Sequence, residues 1–63
     1  MTNFEAAMIM DGEFELTAFE PTEENFIAAA QHLADTGLAW QLQGRVGRTV
    51  ADLIEQGLVT LPS

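Results

Sequence analysis

Cysteine, lysine and tyrosine are absent from this chain, serine occurs only as Ser63, and histidine and tryptophan occur once each, as His32 and Trp40. Each absence removes a class of chemistry. Without cysteine there is no disulfide to staple a small fold, no thiolate nucleophile and no zinc site of the usual Cys/His kind, and a reducing cytoplasm suits the chain. Without lysine there is no Schiff base and no ammonium for a phosphate loop. Threonine hydroxyls are then the main side-chain nucleophiles, and His32 is the only base suited to neutral pH. Such a set argues against an enzyme, and no cofactor or metal is expected. His32 and Asp35 share one predicted helix face but supply only two of the ligands a metal needs, so His32 reads as a satisfied surface or core residue. Thr2 would become an N-terminal nucleophile if Met1 were removed, yet its position ahead of Asn3-Phe4-Glu5 makes it a helix cap.

Positive charge is scarce as well. Arg45 and Arg48 stand against ten acids, giving a net charge of -8, and seven of those acids fall in the first 24 residues without one base. A surface of this sign repels phosphate, which excludes ordinary DNA or RNA binding. It can meet a basic protein, including a nucleic-acid-binding enzyme whose groove it occupies, or simply keep a small protein in solution. No apolar run approaches the roughly 18 residues of a membrane span, and no cation precedes the N-terminal apolar stretch as it would in a signal peptide. The expected location is the cytoplasm.

A chain of 63 residues has room for one domain, residues 1–63. At this size the gain from apolar burial and the entropy lost on ordering come out close to equal. With no disulfide or metal to tip that balance, association with another chain is the remaining stabiliser, either a second copy in a homo-oligomer or a host protein.

Local patterning predicts an all-α fold. Thr2-Asn3-Phe4-Glu5 reads as a capping box opening a helix over 3–11, with Phe4, Ala7, Met8 and Met10 as its apolar set and Gly12 as its stop. A rival reading takes Asp11-Gly12 as the turn of a β-hairpin over 8–19 packed on two helices. Thr22, followed by Glu23 and Glu24 in the first turn, opens a second helix over 23–35, whose stripe is Phe26, Ile27, Ala30, Leu33 and Ala34 and whose stop is Gly37. The Ala28-Ala29-Ala30 run permits close approach of a neighbouring helix. Leu38 to Leu42 forms a short helical turn with Trp40 as a large core anchor. Gly44-Arg45-Val46-Gly47-Arg48-Thr49 reads as a loop whose two glycines take positive φ. Thr49 then caps a third helix over 50–56 that buries Val50, Leu53 and Ile54, ends at Gly57, and leads into a packed tail through Leu58, Val59 and Leu61. The fold expected is a small three-helix domain with an extra helical turn around Leu38–Leu42.

The segment 31–57 holds Trp40, His32 and both arginines, and its pattern is distinctive: Gln31-His32-Leu33, Asp35-Thr36-Gly37-Leu38-Ala39-Trp40-Gln41-Leu42-Gln43-Gly44, Gly47-Arg48-Thr49 and Leu53-Ile54-Glu55-x-Gly57. It resembles a family of small uncharacterised proteins from bacteriophages and bacteria, over a little under half the chain and more weakly over Phe4 to Glu13. Members typically carry an aromatic residue between the two glycines and alanine after the threonine, where this chain has Val46 and Val50. The resemblance implies a phage or phage-like context, hence the host cell cytoplasm, and brings no activity with it.

Trp40, Gln43, Arg45 and Arg48 are the candidate partner-binding or structural residues. The Gly44-x-x-Gly47 spacing lacks the glycine-rich run and lysine of a phosphate loop, so Arg45 and Arg48 are expected to pair carboxylates within the chain or on a partner. The leading functional expectation is a non-enzymatic, phage-derived acidic protein that binds and modulates another protein. The alternatives are a self-assembling structural or accessory phage protein, and an acidic nucleic-acid mimic inhibiting a DNA-binding defence enzyme.

Ten acids confined to so small a domain repel one another over distances comparable to the screening length of roughly 8 Å at physiological ionic strength. The melting temperature should therefore rise between low salt and about 0.5 M NaCl. A fall would mean that ion pairs of Arg45 and Arg48 dominate the electrostatics.

Overall fold

The computed structural model describes residues 1–42 and 44–62. Three helices, α1 (Asn3–Met10), α2 (Glu23–Thr36) and α3 (Val46–Glu55), are linked through single 3-10 turns at Phe14–Leu16 and Leu38–Trp40. Among the described residues there is no strand, so the all-α reading holds and the alternative hairpin over 8–19 is corrected. The reason lies in Asp11-Gly12. A tight hairpin of this sequence needs positive φ at both residues, but Asp11 sits at φ -83° and only Gly12 is left-handed, at 82°. The Gly12 and Glu13 N–H groups donate back to the Ile9 and Met8 carbonyls, at 3.0 and 2.9 Å, which is the paired closure of a helix end.

Helix starts follow the sequence closely. Thr2 Oγ1 accepts from the Glu5 N–H at 3.1 Å while the Glu5 carboxylate accepts from the Thr2 N–H at 2.8 Å, completing the expected box. That backbone donor holds the Glu5 carboxyl below its ordinary value. A lowered carboxyl stabilises the fold above the ordinary range, and its contribution is lost as the pH falls through it. At α2, Thr22 Oγ1 accepts from the Asn25 N–H at 3.1 Å, and Gly37 ends the helix at φ 79°.

The core is built around α2 from small residues. Ala29, Ala30, Leu33 and Ala34 of α2 are buried together with Ala6, Ile9 and Met10 of α1, Ala39 of the second 3-10 turn, Val46 and Val50 of α3, and Val59 of the tail. Phe26, Ile27, Leu53 and Ile54 pack around this centre half-buried. The apolar set expected on α1 is displaced: Phe4 faces solvent, and the inward face is Ala6, Ile9 and Met10. Because apolar side chains lie all round α1, spacing alone does not choose a face, and the methyl of Ala6 allows the closer approach to the alanines of α2. Asn3 Oδ1 meets His32 Nε2 at 2.7 Å, placing the start of α1 beside the C-terminal half of α2.

A second displacement occurs at α3, which begins at Val46 rather than at 50. Thr49 is inside the helix, its N–H bonded to the Arg45 carbonyl at 2.9 Å. Burial of Val46, one turn before buried Val50, outweighs the local tendency of Thr49 to cap. Gly44 takes the expected positive φ, at 84°, but Gly47 is helical. Its missing side chain serves packing instead, since a Cβ there would stand 3.0 Å from the Ala39 carbonyl oxygen. The tail packs through Val59, while Leu58 and Leu61 remain exposed. It is held by the Gln31 amide, whose Nε2 donates to the Thr60 carbonyl at 2.7 Å and whose Oε1 accepts from the Thr60 N–H at 3.0 Å.

Gly47→Ala sets helix propensity against this close approach. Alanine gains about 0.5–1 kcal/mol in a helix interior, and crowding a packed backbone costs about 1–3 kcal/mol. Because the obstructing atom is a backbone oxygen of fully buried Ala39, the expected result is a net loss of about 1 kcal/mol, read as a lower denaturation midpoint. A raised midpoint would show that the 3-10 turn can move aside.

Candidate functional site

Trp40 is the last residue of the second 3-10 turn. The turn is held by the Trp40 N–H donating to the Gly37 carbonyl at 3.2 Å and the Gln41 N–H donating to the Leu38 carbonyl at 2.9 Å. A three-residue turn directs one side chain into the core. Ala39 takes that place, fully buried, and Trp40 is left 49% exposed. The expectation of Trp40 as a core anchor is therefore corrected: the backbone of the turn lies close against Gly47 of α3, and Ala39, not Trp40, is the fully buried residue of the turn.

Arg45 precedes the first residue of α3 and Arg48 lies in its first turn, both exposed. Their elements touch: Ala39, next to Trp40 in sequence, lies against Gly47, next to Arg48. The turn that ends at Trp40 thus packs against the start of α3, the element that carries Arg48 and follows Arg45. Gln43, the fourth predicted site residue, lies outside the described residues. No acidic residue occupies the first turn of α3, so two cations sit at the positive end of the helix dipole, an arrangement that opposes folding slightly and favours an external anion or carboxylate. On a chain of net charge -8 this is the one stretch of opposite sign.

His32 and Asp35 are occupied elsewhere. His32 Nε2 pairs with Asn3 Oδ1, and Asp35 Oδ1 accepts from Gln31 Nε2 at 2.8 Å. Among the described residues there is no cluster of three or more metal-ligating side chains. An open concavity of about 480 Å³ lies over the link between α1 and α2, lined by Phe14, Phe19 and Pro21 with Glu15 and Glu20 at its edge. Neighbouring hydroxyls are spent on the link itself: Thr17 Oγ1 donates to the Phe14 carbonyl and accepts from the Phe19 N–H. Exposed Phe4, Leu16, Leu58 and Leu61 were not foreseen as surface residues; for Phe4 the available signal was that α1 is apolar on every side. Among the described residues no helix is long and apolar enough to cross a membrane.

The chain belongs to the family described as Domain of unknown function (DUF7417), whose profile matches residues 3–62. That match extends well beyond the segment 31–57 and takes in α1, α2 and α3 together. No curated protein and no solved structure matches the chain.

Half-exposure of Trp40 makes two measurements diverge from those of a core residue. Acrylamide should quench its fluorescence readily, and Trp40→Ala should cost at most about 2.5 kcal/mol, since about half of an indole surface of roughly 200 Å² is covered. Leu33→Ala, at a fully buried position of α2, should cost about 2–5 kcal/mol. A Trp40→Ala loss as large as that of Leu33→Ala would mean that the indole is covered in solution.

Proposed function

We propose that this chain is a non-enzymatic, phage-derived acidic protein of the host cytoplasm that acts by binding another protein and modulating it, with Trp40, Arg45 and Arg48 as its contact residues. One observation carries the reading: the single tryptophan is half exposed, and the elements that present it and the two arginines pack directly together. Tryptophan and arginine are the residues most enriched where binding energy concentrates, because both bury a large flat surface and still offer directed hydrogen-bond donors. A carboxylate-bearing partner suits the guanidinium groups at the positive end of the α3 dipole. The likeness of residues 31–57 to small phage and bacterial proteins supports the phage setting. With threonine hydroxyls as the main nucleophiles and one histidine engaged with Asn3, the residues offer little for catalysis.

Affinity purification of the tagged chain from a bacterial host tests this, run beside Trp40→Ala/Arg48→Ala and beside a variant with Glu13, Glu15, Glu20, Glu23 and Glu24 all changed to glutamine. The expected result is a partner whose affinity falls by about 30-fold or more in the Trp40/Arg48 variant, matching hot-spot losses of about 2 kcal/mol or more. The glutamine variant should mainly associate more slowly. Self-association without any other protein would favour a structural role. A target that binds DNA, is displaced by DNA, and is lost only from the glutamine variant would favour a nucleic-acid mimic.

A further inference from the structure

α1 is apolar on two opposite sides. Ala6, Ile9 and Met10 face α2 and are buried, whereas Phe4 and Met8, four residues apart and so stacked on one face, turn away from it; Phe4 is 62% exposed and Met8 half-buried. A helix with apolar residues all round is ordinarily buried, and although α1 also touches the first 3-10 turn and α3, Phe4 on its outer face stays mostly exposed. Methionine thioethers adapt to apolar surfaces of different shape, which suits a docking face more than a fixed core.

The rim of this face says what fits it. Glu5 and Asp11 flank Phe4 and Met8 around the helix, Glu13 follows directly, and no lysine or arginine occurs before Arg45. Carboxylates so placed repel nucleic acid and anionic bilayers. They also oppose a second copy of the chain, which would bring identical acidic rims together between two molecules each of charge -8. We propose that the outer face of α1 docks a basic amphipathic helix of another protein, its apolar side chains on Phe4 and Met8 and its lysines or arginines on Glu5, Asp11 and Glu13. This face belongs to a different element from Trp40, and the assignment stands whether or not the Trp40 segment binds a partner.

The test titrates the full chain into labelled peptides of about five helical turns and reads anisotropy. One peptide carries leucines on one face and lysines on the other, a second has the same composition scrambled, and a third replaces lysine by glutamate. The leucine/lysine peptide should bind at least about tenfold more tightly than either control and weaken several-fold between about 0.05 and 0.3 M NaCl. Phe4→Ser/Met8→Ser should weaken it by about tenfold or more, whereas Asp52→Asn/Glu55→Gln on α3 should change it by less than about twofold. If the double variant loses its helical signal, Phe4→Ser alone decides, because that side chain is mostly exposed. Equal affinity for the scrambled peptide, or full affinity in the Phe4 variant, would overturn the assignment. So would self-association that salt strengthens and Phe4→Ser abolishes, since the occupant would then be a second copy.

Discussion

Ala6 of α1 and Ala29, Ala30 and Ala34 of α2 are buried in one core cluster, and this concentration of small side chains around α2 is the constraint on which the rest of the structure depends. Methyl groups let backbones approach, so dispersion between the helices themselves replaces the interlocking of long side chains. The consequence is a thin core. Only Ile9, Leu33, Val50 and Val59 combine size with full burial, and the larger apolar residues are pushed to the margin, where Phe14, Phe19, Phe26, Leu38, Leu42, Leu53 and Ile54 pack half-buried around it. α2 contacts α1, the second 3-10 turn and α3, and through Gln31 it also holds the tail, so each peripheral element depends on its position. Enlarging one of these alanines would lift α1 away and open the centre of the fold.

What the sequence made legible was the chemistry settled within a few residues. The Thr2 and Thr22 caps, the Gly12 and Gly37 stops and the short turn after Gly37 each follow from hydrogen bonds or backbone angles fixed by their immediate neighbours. What was not legible depended on distant atoms. Thr49 carries a proper capping hydroxyl, yet the helix extends back to Val46 because that valine finds cover in the core and Gly47 finds the Ala39 carbonyl. The choice of face on α1 was likewise hidden, since nothing local distinguishes Phe4 and Met8 from Ile9 and Met10.

The candidate site shows the same division. Its residues were identifiable because tryptophan and arginine are rare in this chain and fall close together. Their exposure was not, because large aromatic residues are on average well covered, and only the thin core explains why the indole stands outside. The Ala39 carbonyl oxygen and Gly47 meet at a separation that leaves little room for a side chain at position 47, so the second 3-10 turn closes onto α3 with Ala39 buried and Trp40 half exposed.

Charge and exposed apolar surface then bear on each other. A core of small residues leaves Phe4, Leu16, Trp40, Leu58 and Leu61 substantially in solvent, which for a neutral domain of this size would invite indiscriminate association. A net charge of -8 opposes contact between copies at long range, while short-range apolar contact remains available to a surface of opposite sign. Under the proposed binding role the acids would act as a filter on partners. Glu5, Asp11 and Glu13 border Phe4 and Met8, whereas Arg45 and Arg48 follow Trp40 closely in the chain, so under the two proposals the apolar displays would take partners of opposite charge. An apolar surface that would be a liability in isolation becomes selective through the sign of its border.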